Sequence, residues 1–255
     1  MIKRNKLIPV PRVRSQDTGR IRDVFVFLLL WHAVRLATDA AVHRAALAML
    51  LPALVSIRFD LAYTTRSLIG LAFGIWYLKR FCYLRNISFS ERFGLDRPMD
   101  PTNSTFLKAL FLFLLIFTVP NVAHYLFLTW SYGVKLEGAG LTSYLLTGTR
   151  VALLSPLAEE LIWRGFAYPI FKNAFCLWKG IVFTSLLFAL AHLPFIARYP
   201  FPLVLLACAY FFLVGAALNI LYERGANLKW CILSHALLNL ILFAVDVICR
   251  ELVWV

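Results

Sequence analysis

Long apolar stretches, separated by short polar connections, set the pattern of this chain. The clearest run from Phe106 to Trp130, from Phe175 to His192, from Pro202 to Tyr222 and from Leu228 to Ile248. Each reaches or approaches the roughly 20 apolar residues that a helix needs to cross a bilayer core. Two more stretches, Leu68 to Leu84 and Leu141 to Phe171, are nearly as continuous. Between Val24 and Ile57 the pattern weakens, because His32, Arg35, Asp39, His43 and Arg44 interrupt it, and one or two spans are expected there. Together these stretches predict an all-α, polytopic transmembrane helical bundle of seven or eight helices.

Composition supports that class. Of the 255 residues, 61% are hydrophobic and only 15% charged, and mean hydropathy is +0.76, which excludes an ordinary soluble domain. The net charge of +13 could indicate nucleic acid, but basic residues in a membrane chain record orientation, with Lys and Arg kept on the cytoplasmic side. Nucleic acid is therefore not an expected partner, and the lipid bilayer is. Lys3, Arg4, Lys6, Arg12, Arg14, Arg20 and Arg22 crowd the start, and Lys79, Arg80, Arg85, Arg92 and Arg97 follow the Leu68 span. Both groups are expected in the cytoplasm, with an even number of crossings between them. Two spans within Val24 to Ile57 would break that parity, so one piece is expected to lie in the interface. The basic start has no small-residue cleavage site after a short apolar core and reads as a retained tail.

The cysteines Cys82, Cys176, Cys208, Cys231 and Cys249 are scattered, with no Cys-x-x-Cys pair, and suggest neither a disulfide framework nor a zinc knuckle. Cys231 stands four residues before His235 as a conceivable nucleophile and base, but helix packing is the favoured role. There is no repeat or low-complexity stretch, and the longest polar connection runs from about Asn86 to Thr105.

Chemistry concentrates at Glu159-Glu160-Leu-Ile-Trp-Arg164. A charge at bilayer depth costs roughly 3 kcal/mol, so such residues are functional candidates. Ser155-Pro156 reads as a helix start and Pro169 as its end. On that helix Glu160 and Arg164 are four apart and share a face, while Glu159 points about 100 degrees away. The spacing makes Glu160 and Arg164 an internal ion pair and leaves Glu159 for a different task. Phe188 and His192 share a face at the end of the next span, as do His235 and Asn239 on the last. A single intramembrane His or Asn can simply hydrogen-bond a neighbouring helix, for about 1 kcal/mol. Glu, His and a His/Asn pair on three late helices could instead converge on one pocket, where a carboxylate beside a histidine serves as a general base.

Glu159-Glu160-x-x-x-Arg164, Phe188-x-x-x-His192 and His235-x-x-x-Asn239 together resemble the three-part signature of the CPBP family, the CAAX-protease and bacteriocin-processing intramembrane proteases. Gly165 and Tyr168 are similar to the family's usual continuation. The resemblance covers roughly Ser155 to Leu240 and implies a bundle of about eight helices that hydrolyses peptides with a glutamate-activated water. It implies that Glu159 with His192 deprotonates the water, and that His235 and Asn239 hydrogen-bond the oxyanion. Glu160 and Arg164 would hold the helix in register, and Phe188 would pack. No cofactor and no metal are implied. The expected organisation is a basic cytoplasmic tail over 1–22, N-terminal transmembrane helices with the basic loop over 23–140, and catalytic helices over 141–250.

Other protease chemistries lack their letters. There is no His-Glu-x-x-His and no Gly-x-Ser-x-Gly. Asp246 is the one aspartate deep in a late helix, and it is four residues before Arg250, its expected ion-pair partner. Two alternatives stay open. One is a zinc-dependent membrane hydrolase holding its metal on Glu159, His192 and His235. The other is a non-catalytic transporter, or an immunity or scaffold protein, that keeps the polar pocket. The expected substrate is a membrane protein or peptide, either CAAX-like, bacteriocin-related or a protein-sorting substrate. The expected location is a bacterial cytoplasmic (inner) membrane, and oligomeric state is not indicated.

Overall fold

The computed structural model describes residues 20–48, 55–96, 98–100, 102–132, 140–197, 199–225 and 227–252. Most of the basic tail expected over 1–22 lies outside them. Every regular element among the described residues is helical. In chain order these are α1 (Ile21–Ala48), α2 (Val55–Tyr83), α3 (Phe89–Phe93), α4 (Ser104–Tyr132), α5 (Leu141–Thr149), α6 (Ser155–Glu160), α7 (Tyr168–Ala174), α8 (Leu177–Leu190), α9 (Leu193–Ile196), α10 (Phe201–Gly225) and α11 (Leu228–Leu252). Two π-helical segments, Arg150–Leu154 and Leu161–Ala167, join α5, α6 and α7 into one rod. Counting that rod once, seven helices of ten or more residues are present among the described residues, within the expected range.

Four helical stretches are long and apolar enough to cross a membrane: Ile21–Ala41, Ser104–Ala123, Phe201–Gly225 and Leu228–Cys249. Large apolar side chains such as Leu29, Phe111, Ile116, Phe201 and Leu206 are exposed, as they are when lipid takes the place of water. The chain is an integral membrane protein.

Of the weak region Val24 to Ile57, the described residues belong to α1 and the start of α2, within the one or two spans expected there. Two of the charges that interrupt it, Asp39 and Arg35, have partners or supports. Asp39 receives a two-pronged salt bridge from Arg66 on α2, at 3.0 and 2.7 Å, and the Arg35 guanidinium lies 4.4 Å from the Trp31 ring centre. One expectation is corrected: neither Ser155 nor Pro169 bounds the helix that carries Glu159 and Glu160, because the rod continues through both. A π turn precedes each proline, and there the hydrogen-bond ladder shifts register, which accommodates a residue that cannot donate an N–H.

By contact the chain forms two compact units. The first draws on described residues of Met1–Phe25, Leu78–Leu110 and Glu160–Cys231. Its core holds Trp163, Phe166, Tyr168, Phe188 and Leu218, all nearly or fully buried. Phe81 meets Phe166 edge-on at 4.9 Å, and Phe106 packs on Trp230 at 4.6 Å. Glycine is required at 165, since a Cβ there would stand 2.3 Å from a Phe93 ring carbon, and at 180, where it would meet the Lys172 backbone at 2.8 Å. Lys172 and Tyr168 on α7 hold Glu223 on α10 at 2.7 and 3.0 Å. In the polar connection, Gly94 ends α3 in the left-handed conformation, and Asn103 caps α4 by accepting the Phe106 N–H at 3.0 Å.

The second unit draws on Val26–Tyr77, Phe111–Glu159 and described residues of Ile232–Val255. Trp31 Nε1 on α1 donates to the Gly70 carbonyl of α2 at 3.2 Å. Asp60 of α2 accepts from the Ser143 hydroxyl and, at 2.9 Å, from that of Thr147, both on α5. These bonds occupy polar groups that lipid would leave without partners.

Candidate active site

The Glu159-Glu160 pair sits at the end of α6, between the two π segments. π turns are rare and concentrate at functional sites. The adjacent carboxylates fall in different units and meet different groups.

In the second unit, Glu159 Oε2 lies 4.0 Å from His235 Nε2 on α11, with 18% and 6% of the two side chains exposed. That separation is longer than a direct hydrogen bond, and the Glu159 oxygen is itself buried. Asn239, one turn beyond His235, donates its amide to the Val151 carbonyl at 3.0 Å. Arg35 of α1 is an electrostatic neighbour of Glu159. The sequence showed Arg35 only as an interruption of an apolar stretch, since its relation to Glu159 exists only in the folded chain.

In the first unit, the expected ion pair forms, with Arg164 Nη1 2.8 Å from Glu160 Oε1 and neither side chain exposed. Arg164 also donates to the Gly215 carbonyl of α10 at 2.9 Å, and its guanidinium lies 4.9 Å from the Phe188 ring centre. A buried pair costs desolvation on both sides, and extra bonds of this kind are what make it tolerable. Phe188 packs, as expected, and also contacts His192 with ring centres 4.7 Å apart. His192 stands in the turn after α8, not within it. Its Nδ1 is 2.7 Å from the Phe188 carbonyl, and its ring stacks on Phe211 at 4.0 Å. A carbonyl only accepts, so Nδ1 carries a proton, and the tautomer this bond selects is the one with its lone pair on Nε2. Phe211 is a second residue that no motif indicated.

The remaining candidates fall as follows. Cys231 is buried and directs its thiol at the Leu218 carbonyl at 3.6 Å, in keeping with packing. The Arg250 side chain, the expected partner of Asp246, lies outside the described residues. Among the described residues, no three side chains of His, Cys, Asp or Glu come together as a metal set.

Residues 141–241 match the family described as type II CAAX prenyl endopeptidase Rce1-like. The match runs from the start of α5 into α11 and contains all three motifs, so the resemblance drawn from those motifs is met independently. At family level the similarity is to CAAX-type membrane proteases. An Escherichia coli protein, described only as an uncharacterized 24.3 kDa protein, is 34% identical over 93 residues. That alignment spans 36% of this chain and 40% of the relative. No solved structure matches the chain.

Proposed function

We propose that this protein is a glutamic intramembrane endopeptidase, cleaving a membrane-associated peptide or protein with a water activated by Glu159. The observation that carries this reading is the 4.0 Å separation of Glu159 Oε2 and His235 Nε2 in a largely buried setting. Water held there gives one proton to the carboxylate while its oxygen attacks the scissile carbonyl carbon. The His235 N–H and the Asn239 amide hydrogen-bond the oxyanion that develops. Collapse breaks the C–N bond, and the proton on Glu159 passes to the departing amine. His192 enters only by its place in the signature, whose resemblance makes it the partner of Glu159 in activating the water. Glu160 and Arg164 touch no reacting atom and fix the rod on which Glu159 stands.

For the substrate, the family match favours a CAAX-like C-terminal segment over a bacteriocin-related or sorting substrate. The basic N-terminal segment and the loop after α2 favour a bacterial inner membrane with both on the cytoplasmic face. The test is cleavage by membranes carrying wild type, Glu159→Ala or His192→Ala. Both variants are expected to accumulate normally and to lose cleavage, and full activity in both would refute the proposal. Chelation is expected to leave wild-type cleavage unchanged, whereas loss on chelation and return with zinc would point to the metal-dependent alternative.

A further inference from the structure

His235, Asn239 and Phe243 recur every four residues on one face of α11, and each meets the rod at a different level. His235 faces Glu159 at 4.0 Å, and Asn239 donates to Val151 at 3.0 Å. Phe243 lies against Gly148 and edge-on to Tyr144, with ring centres 6.5 Å apart. Going forward along α11 therefore means going backward along the rod, so the two run antiparallel at this face. Two of these contacts depend on features that the chemistry does not otherwise require. Val151 belongs to the π segment Arg150–Leu154, where the shift in the backbone ladder makes a carbonyl available to a side chain. At Gly148, a Cβ would stand 2.8 Å from Phe243 Cε1, so the ring reaches its place only because residue 148 has none.

We infer that Gly148, Phe243 and the Val151 carbonyl form a register lock that sets which residue of α11 faces Glu159 and how the Asn239 amide is aimed. A slip of one turn, about 5.4 Å, would bring Asn239 to the level of Glu159 in place of His235. The Asn239 amide is planar with two N–H groups, so fixing one on Val151 fixes the direction of the other. Gly148, Val151 and Phe243 are positioning residues, and the consequence for catalysis rests on the hydrolytic role proposed above.

The lock is tested without substrate, by cross-linking the full-length chain in its membrane after replacing its five cysteines by serine. Glu159→Cys is paired with cysteine at 235 or 239, and a short bis-methanethiosulfonate is applied. The 159–235 pair is expected to cross-link in clear preference to 159–239. Gly148→Ala should lower the 159–235 yield several-fold, and adding Phe243→Leu should restore it. Phe243→Ala, with Gly148 retained, should spread the yield over both pairs even if Gly148→Ala fails to accumulate. A yield indifferent to Gly148→Ala, no rescue by Phe243→Leu, or an unchanged preference in Phe243→Ala would overturn the inference. If the lock behaves as expected and the unmodified chain cleaves nothing in a Glu159-dependent way, only the hydrolytic reading fails.

Discussion

At the scale of single residues, the two adjacent glutamates show how position on a helix divides labour. Glu160 and Arg164 have no exposed surface, so removing either partner leaves a buried charge. Arg164→Met is expected to destabilise the fold by about 3–5 kcal/mol, whereas Glu160→Leu with Arg164→Met should cost less than either single change. Unfolding of the purified variants in detergent checks this, and equal or larger loss in the double variant would contradict it. For His192, the tautomer held by the Phe188 carbonyl is the one a water-orienting acceptor needs. His192→Ala should lower the turnover rate by about 10²–10⁴-fold, the usual span for a lost acid–base group. Rates on a cleaved peptide, at matched protein levels, measure the drop. The Glu160–Arg164 pair was legible in the sequence because both members lie on one turn of one helix. The place of Arg35 was not, because its electrostatic relation to Glu159 is made by folding and leaves no local pattern.

At the scale of elements, the apolar pattern located most helices but misjudged their limits where polar residues have partners elsewhere. The first half of α2 carries Asp60 and Arg66, which spoil its apolar run, yet their partners Ser143, Thr147 and Asp39 lie on α5 and α1. The prolines misled in the opposite way. Pro156 and Pro169 read as helix boundaries, but π turns carry the rod through both, and a π turn has no recognisable letters. Close packing then makes its own demand at the junction of α7 and α8. Gly180→Leu is expected to force these helices apart and to cost about 1–3 kcal/mol, the usual range for overpacking, because a side chain there meets Lys172 backbone and no yielding side chain. Thermal denaturation in detergent against wild type reads the effect, and unchanged stability would refute the packing argument.

At the scale of the whole molecule, the hydropathy of the sequence already placed the chain in a membrane, and three short motifs marked one stretch as its chemical part. The structure adds that these motifs sit on a rod interrupted by two π turns, on a turn stacked against Phe211, and on a helix face whose register brings His235 to Glu159. No motif names a substrate, because hydrolysis uses the same groups whichever peptide lies across them. The most direct measurement is a comparison of peptide termini in cells carrying wild type and Glu159→Ala at equal membrane abundance. The account predicts new termini in membrane-associated proteins that appear with wild type and vanish with Glu159→Ala. Identical termini in the two strains would contradict it.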